Sequence, residues 1–322
     1  MITQTQAQLQ RLVPRHHDAF DVVIVGAGPA GMSAALCCVR ANLKTLVLEK
    51  ALPGGEASTA WRIENYLGFP GGILGPKLTA QMEDQLFSFP IYYSCENVED
   101  IAHAGDAEKI IRTELGSVYK AKAVIIAVGL EPKKLNAGFE KAFMGRGVSY
   151  YAQCDVESYR GKDVAVIGGG TCACYAADYL SGFVNKLYLI HRSDSLKAVK
   201  TLKERILGTS NISLMWDSVV DDVFGLDKVE KIKIRHSTTQ QHTWVDVKGV
   251  FIYVGRIPPK DILNLNIRTD ERGYIVTDET MRTNISGIYA AGDIRAKQIR
   301  QIATAVSDGM IAAINAERDL KR

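Results

Sequence analysis

Residues 21–31 read DVVIVGAGPAG, and the reading of this stretch decides the fold. Asp21 to Val25 is a β-branched run of the kind that forms a buried parallel strand. Glycines follow at 26, 28 and 31, and then a run of small apolar residues suited to a helix. In this G-x-G-x-x-G pattern the glycines permit a tight turn, close approach of backbone to a pyrophosphate, and close packing of helix on strand. The helix start adds unpaired N–H groups and the positive end of a dipole. The pattern alone is weak, because a glycine turn used only for packing reads the same way. Here Glu49 closes the next apolar run, LVLEK, 23 residues after Gly26, where an acid accepts ribose hydroxyls.

The unit recurs. DVAVIGGGTCACYAADYLSGF begins at Asp163, 142 residues after Asp21, with Gly168, Gly169 and Gly170 in the turn and Ala173 at the third small position. Further short apolar runs (KTLVLEK, KAVIIAVG, NKLYLIHR, KGVFIYVG and SGIYAAGD) alternate with helical stretches, which argues for doubly wound parallel sheets. The expected architecture is α/β, with two Rossmann-like three-layer dinucleotide-binding domains, the second inserted in the first. LEPKKL near 130 and GRIPPK near 255 carry prolines where the chain would leave and rejoin the first sheet. The expected boundaries are a polar extension at 1–20, a first domain of 21–132 plus 257–322, and an inserted domain at 133–256.

A chain of 322 residues has room for two such cores. Its 47% hydrophobic and 23% charged residues are a globular balance, and a net charge of +3 gives no reason to expect nucleic acid. No apolar run is long enough to cross a bilayer, and the first twenty residues lack a secretory pattern, so a soluble cytoplasmic protein is expected. Six cysteines, at 37, 38, 95, 154, 172 and 174, are too sparse for a secreted disulfide framework. Cys37, Cys38 and Cys95 read as small buried hydrophobes. No metal is expected.

Two later segments extend the first site. GGEASTAWRIENYLGFPGGILG offers a glycine-rich loop and Asn65, an amide able to bond the edge of an isoalloxazine. YAAGDIRAKQIRQIATAVSDG places Asp293 between a strand and a helix, where a carboxylate can hold ribityl hydroxyls, while the helix near Arg300 aims its dipole at the flavin pyrimidine. Through GAGPAG, GGE, IENYLGFPGGI, GVS with CD, GKDVAVIGGG and AAGDI with RQ, the chain resembles the low-molecular-weight thioredoxin reductases over nearly everything after residue 20. The resemblance implies FAD, held by Gly26, Gly28, Ala30, Gly31, Glu49, Lys50, Gly55, Glu56, Asn65, Asp293, Arg300 and Gln301. It also implies a homodimer and a small redox protein as partner, thioredoxin-like or ferredoxin.

In that family the second fingerprint binds NADPH, which would give Gly168, Gly170, Thr171, His191, Arg192 and Lys197 to a second nucleotide. His191 stands 23 residues after Gly168, in the place that Glu49 takes in the first unit, so no acid is present to select a 2′-hydroxyl. The family's His-Arg-Arg cluster and following arginine, which grip a 2′-phosphate, are here His191-Arg192-Ser193 and Lys197. A glutamate pair usual just inside the helix is replaced by Tyr175 and Ala176. Two readings stand: a weakened NADPH site, or a lapsed one whose electrons come from ferredoxin or a second flavin stacked on extra tyrosines.

Thioredoxin-reducing members carry Cys-x-x-Cys-Asp. This chain reads Tyr151-Ala152-Gln153-Cys154-Asp155, so the flavin-facing thiol and the acid remain and the partner-attacking thiol is a tyrosine. Thiol–disulfide exchange needs a second, resolving thiol. Cys172 and Cys174 sit at the start of the second fingerprint helix, where the dipole favours thiolate, and either one is a candidate partner for Cys154. They cannot close on each other, since residues two apart on a helix point about 200° apart. As packing residues they would be inert. Tyr150 and Tyr151 read as an aromatic wall sooner than as acid–base groups, and Asp155 as an acid or a helix cap.

Three functions follow from these residues. The first is an FAD-dependent disulfide oxidoreductase with an altered cysteine relay and a donor other than NADPH. The second is a flavin reductase or oxidase, linked to NAD(P)H or ferredoxin, without disulfide chemistry. The third is a non-catalytic flavin-binding protein.

Overall fold

The computed structural model describes residues 11–104, 108–135, 137–152, 156–259 and 265–321. The chain divides into two units, Met1–Glu131 with Ile257–Arg322, and Pro132–Arg256. Each is built on a parallel sheet, so the α/β architecture with two dinucleotide-binding folds is what the chain adopts.

In the first unit the strands lie in the order Arg11–Leu12, Ile91–Ser94, Thr45–Leu48, Ala19–Val25 and Val118–Ile126, all parallel. The end of Val118–Ile126 pairs with Ile288–Ala290 and its start with the antiparallel strand Glu108–Thr113, which in turn pairs antiparallel with Val98–Ala104. Side chains alternate across the central strand. Val22 and Ile24 meet the helices Pro29–Arg40 and Ile302–Leu320, while Val23 and Val25 face a second cluster with Ile111, Tyr119 and Ile288. Burial on both faces accounts for the continuous apolar reading of these strands.

The second unit repeats the plan. Ile212–Met215, Lys186–Ile190, Asp163–Ile167, Gly249–Ile252 and Val148–Ser149 form a parallel sheet in that order. The strands Ser218–Phe224, Lys231–His236 and His242–Asp246 form an antiparallel sheet.

Two expectations need correction. The segment before residue 20 is more than a polar extension: Arg11–Leu12 is an edge strand beside Ile91–Ser94. Arg11 pairs with Glu83 and lays its guanidinium 3.9 Å from the centre of the Phe87 ring. Cys95 is exposed, its thiol donating to Ala51 O at 3.5 Å, because it follows the Ile91–Ser94 strand out of the sheet. Cys38 is buried as expected, its thiol pushed up to about 12 chiefly by that burial.

Candidate functional site

The first strand ends at Val25 and the chain turns at once into the Pro29–Arg40 helix. Gly26 makes the turn at φ +104°, and a Cβ there would lie 2.5 Å from Ala127 O. Only glycine fits. Gly28 caps the helix in extended conformation with no side-chain hydrogen bond, and no acidic residue stands in the first turn. The leading N–H groups therefore remain available to an anion.

Glu49 closes over this turn. Its Oε2 accepts the Ala27 N–H at 2.7 Å and its Oε1 the Ala51 N–H at 3.0 Å. From the other side Gly54 N–H donates to Ala27 O at 2.8 Å, which brings Gly55 against Gly28. Ala30 and Gly31 are buried in the helix start, Glu56 is exposed, and Lys50 is spent on an exposed pair with Glu131 at 2.9 Å. Beside Glu49 a cavity of about 40 Å³ is lined by Gly26, Lys50, Glu96, Asn97 and Val98 among others.

Glu96 carried no sequence signal. Burial pushes its carboxyl up, but hydrogen bonds from Ser94, Thr113, Ser117 and Tyr119 outweigh this and hold it below its ordinary range. The Ser94 hydroxyl, at 2.6 Å, is two residues away, but the Tyr119 hydroxyl, at 2.8 Å, comes from the Val118–Ile126 strand, which no linear motif reveals.

The two ends of the first unit meet where Asn65 Nδ2 donates to Gln301 Oε1 at 2.8 Å. Gln301 also caps the Ile302–Leu320 helix in a reciprocal arrangement with Thr304. Arg300 stacks 3.9 Å from the Tyr274 ring centre and donates to Asp293 O at 3.1 Å. Asp293 Oδ1 is buried without a hydrogen-bond partner. Burial pushes that carboxyl up, Lys297 and Arg300 pull it down, and Asp308 adds to the rise.

In the second unit Gly168 backs onto Tyr253 O as Gly26 does onto Ala127 O, with φ +144° and 2.3 Å to the place of a Cβ. Gly170 caps Thr171–Ser181 with no side-chain bond. Where Glu49 reaches the first turn with a carboxylate, His191 lays its ring on Gly169, 2.4 Å from where a Cβ would stand. Its Nε2 is buried and lacks a hydrogen-bond partner. Burial lowers the pKa of this ring, and the charges of Arg192 and Lys197 lower it further. Both of those side chains are exposed; Lys197 N–H donates to Gly169 O at 2.6 Å, and Thr171 Oγ1 donates to Lys197 O at 3.4 Å.

Cys154 and Asp155 lie outside the described residues. Their neighbours Ala152 and Val156 are buried in one apolar cluster with Ala173 and Cys174, and Ala152 N–H donates to Tyr253 Oη at 3.1 Å. Cys172 is exposed and Cys174 is buried. The dipole argument for an acidic thiol fails at Cys174: burial pushes it up to about 11, against the opposing charge of Lys203. Tyr150 joins an apolar cluster with its hydroxyl buried and unpartnered, while Tyr151 is exposed.

Residues 20–309 match the pyridine nucleotide-disulphide oxidoreductase family. The chain belongs to that family. It is 42% identical over 301 residues to the thioredoxin reductase of Listeria innocua, covering 93% of each chain. Among solved structures, Lactococcus lactis thioredoxin reductase superposes with a TM-score of 0.89 at 40% identity, over 94% of this chain and 99% of that one. The ferredoxin-flavin thioredoxin reductase of Clostridium acetobutylicum gives 0.52 at 31%, over 95% and 99%. As a family member the chain is an FAD-dependent oxidoreductase, and the first turn fits that cofactor. It has an uncapped helix start for the pyrophosphate, a carboxylate at the turn and an orphaned acceptor at Asp293. Among the described residues no helix is long and apolar enough to cross a membrane.

Proposed function

We propose that this chain reduces the disulfide of a small thioredoxin-like protein through a rearranged pair of thiols, Cys154 and Cys172, with electrons from a donor other than NADPH. The observation that carries the reading is the burial of Ala152 and Val156, on either side of Cys154 and Asp155 in the sequence, in one cluster with Ala173 and Cys174: the flanking chain packs against the start of the Thr171–Ser181 helix, on which Cys172 is the exposed thiol. Cys174 is the poorer partner, buried and with a thiol near 11. In this reading the Cys172 thiolate attacks the partner disulfide and releases one partner thiol. Cys154 then attacks the mixed disulfide, releases the second thiol, and leaves Cys154–Cys172 oxidised by two electrons. Asp155 supplies and takes up the proton. FAD, when bound, supplies the two electrons that restore the dithiol.

The first-turn residues from Gly26 to Gly31, with Glu49, Lys50, Gly55, Glu56, Asn65, Asp293, Arg300 and Gln301, hold FAD in this account. The second fingerprint holds a nucleotide poorly suited to NADPH. Burial and the charges of Arg192 and Lys197 disfavour a charged His191, so Arg192 and Lys197 are the cations that remain to meet a 2′-phosphate. Ferredoxin or a second flavin is the donor, a reading supported by the likeness to the clostridial ferredoxin-flavin enzyme. The assembly is a homodimer.

Stopped-flow mixing tests the donor. Photoreduced ferredoxin is expected to bleach the flavin band and NADPH to leave it. Rapid bleaching by NADPH that survives Cys154→Ser would replace this reading with that of a flavin reductase.

A further inference from the structure

Asp308 sits on the Ile302–Leu320 helix, 6% exposed, with both carboxylate oxygens engaged. Oδ1 accepts Arg295 Nη1 at 2.8 Å; Oδ2 accepts Lys297 Nζ at 2.8 Å and the Gly292 N–H at 3.1 Å. Gly292 immediately precedes Asp293, so Asp308 pins the backbone of the turn that carries the flavin-site acid. Arg295 is locked in turn by Thr277 Oγ1 at 2.8 Å. Lys297 Nζ stands 3.7 Å from Asp293 Oδ1, inside ion-pair range and beyond a hydrogen bond. Its side chain is 12% exposed and committed to Asp308 and, at 3.4 Å, to Thr304 Oγ1. One ammonium thus faces two carboxylates, Asp308 buried and Asp293 half-buried, and stands at hydrogen-bond distance from the first alone. The other keeps an acceptor oxygen buried and unpaired, a state that costs a folded protein free energy unless a ligand donor completes it.

We propose that Lys297 and Asp308 are positioning residues for flavin binding, fixing the Asp293 turn and setting a positive charge beside its carboxylate while leaving Oδ1 free for a ribityl hydroxyl. The proposal rests on FAD occupying the first site. A salt-bridge cluster serving only to fasten the helix to the turn would satisfy Asp293 as well. Lys297, Arg300 and Asp308 are the charged groups that bear on Asp293, and the Lys297 ammonium stands 3.7 Å from its Oδ1.

The test strips flavin from the full-length protein and titrates FAD back into wild type, Lys297→Met, Lys297→Arg and Asp308→Asn, following flavin fluorescence from pH 5 to 8, with circular dichroism to check folding. Lys297→Met is expected to weaken FAD binding roughly ten- to a hundredfold, the worth of one hydrogen bond to a charged group. It should also move the loss of binding on acidification to higher pH. Lys297→Arg should return to within about threefold of wild type. Asp308→Asn, which keeps the shape of the side chain, should weaken binding in the same direction and carries the test if Lys297→Met does not fold. Folded Lys297→Met or Asp308→Asn protein that binds FAD within about twofold of wild type overturns the proposal, as does a loss that arginine fails to restore with the pH profile unmoved. A wild-type protein that takes up no FAD overturns the flavin reading, and this one with it.

Discussion

The Glu49 carboxylate accepts the backbone N–H of Ala27 at 2.7 Å, so the acid that closes one strand is bonded directly to the turn that closes another. Each carboxylate oxygen takes a single N–H donor, which leaves lone pairs for two ribose hydroxyls. Glu49→Ala should therefore weaken FAD binding by about tenfold or more while the chain still folds, since it removes the charged acceptor for donors of both ligand and turn. Fluorescence titration of the stripped protein measures it.

At the second turn the corresponding neighbours are His191 and Gly169. Gly169→Ala places a methyl 2.4 Å from the imidazole, and overpacking of this kind costs about 1–3 kcal/mol. The expected result is a lowered thermal midpoint with FAD still bound at the first site, because the first fingerprint lies in the other unit.

Cys174 should be chemically silent. With its thiol near 11 and no exposed surface, its thiolate fraction at pH 8 is about a thousandth. Iodoacetamide treatment of reduced, folded protein followed by peptide mass spectrometry should find Cys172 modified and Cys174 modified only after unfolding.

Asp293 gives a pH dependence of two opposite signs. Its pKa is raised in the folded state above the ordinary 3.8, so the stability it contributes to flavin-free protein is fully present below 3.8 and is lost as pH rises through the folded value. FAD binding needs the ionised carboxylate as an acceptor and should weaken as pH falls through that same window. Denaturant midpoints without flavin, set beside FAD titrations at matched pH, should show the two trends crossing; Asp293→Asn should flatten both.

Both fingerprints were legible in the sequence because a buried parallel strand, a glycine turn and a helix of small residues leave a contiguous pattern. The antiparallel strands such as EKIIRT and KIKIRH were not, since they are short and rich in charged residues, and EKIIRT even turns Lys109 and Thr113 to its buried face. Glu96 and the Lys297–Asp308 pair escaped for another reason: their partners come from other strands or from across a turn, and only folding brings them together. Cys174 shows the converse, a helix-start position readable from spacing whose chemistry is decided by burial that spacing does not report.

Counting thiols before and after anaerobic photoreduction of the flavin tests the proposed relay most directly. Two thiols are expected to appear in wild type and in Cys174→Ala, and none in Cys154→Ser or Cys172→Ser. Wild-type protein that gains no thiol on full reduction, or a gain that depends on Cys174 in place of Cys172, would contradict it.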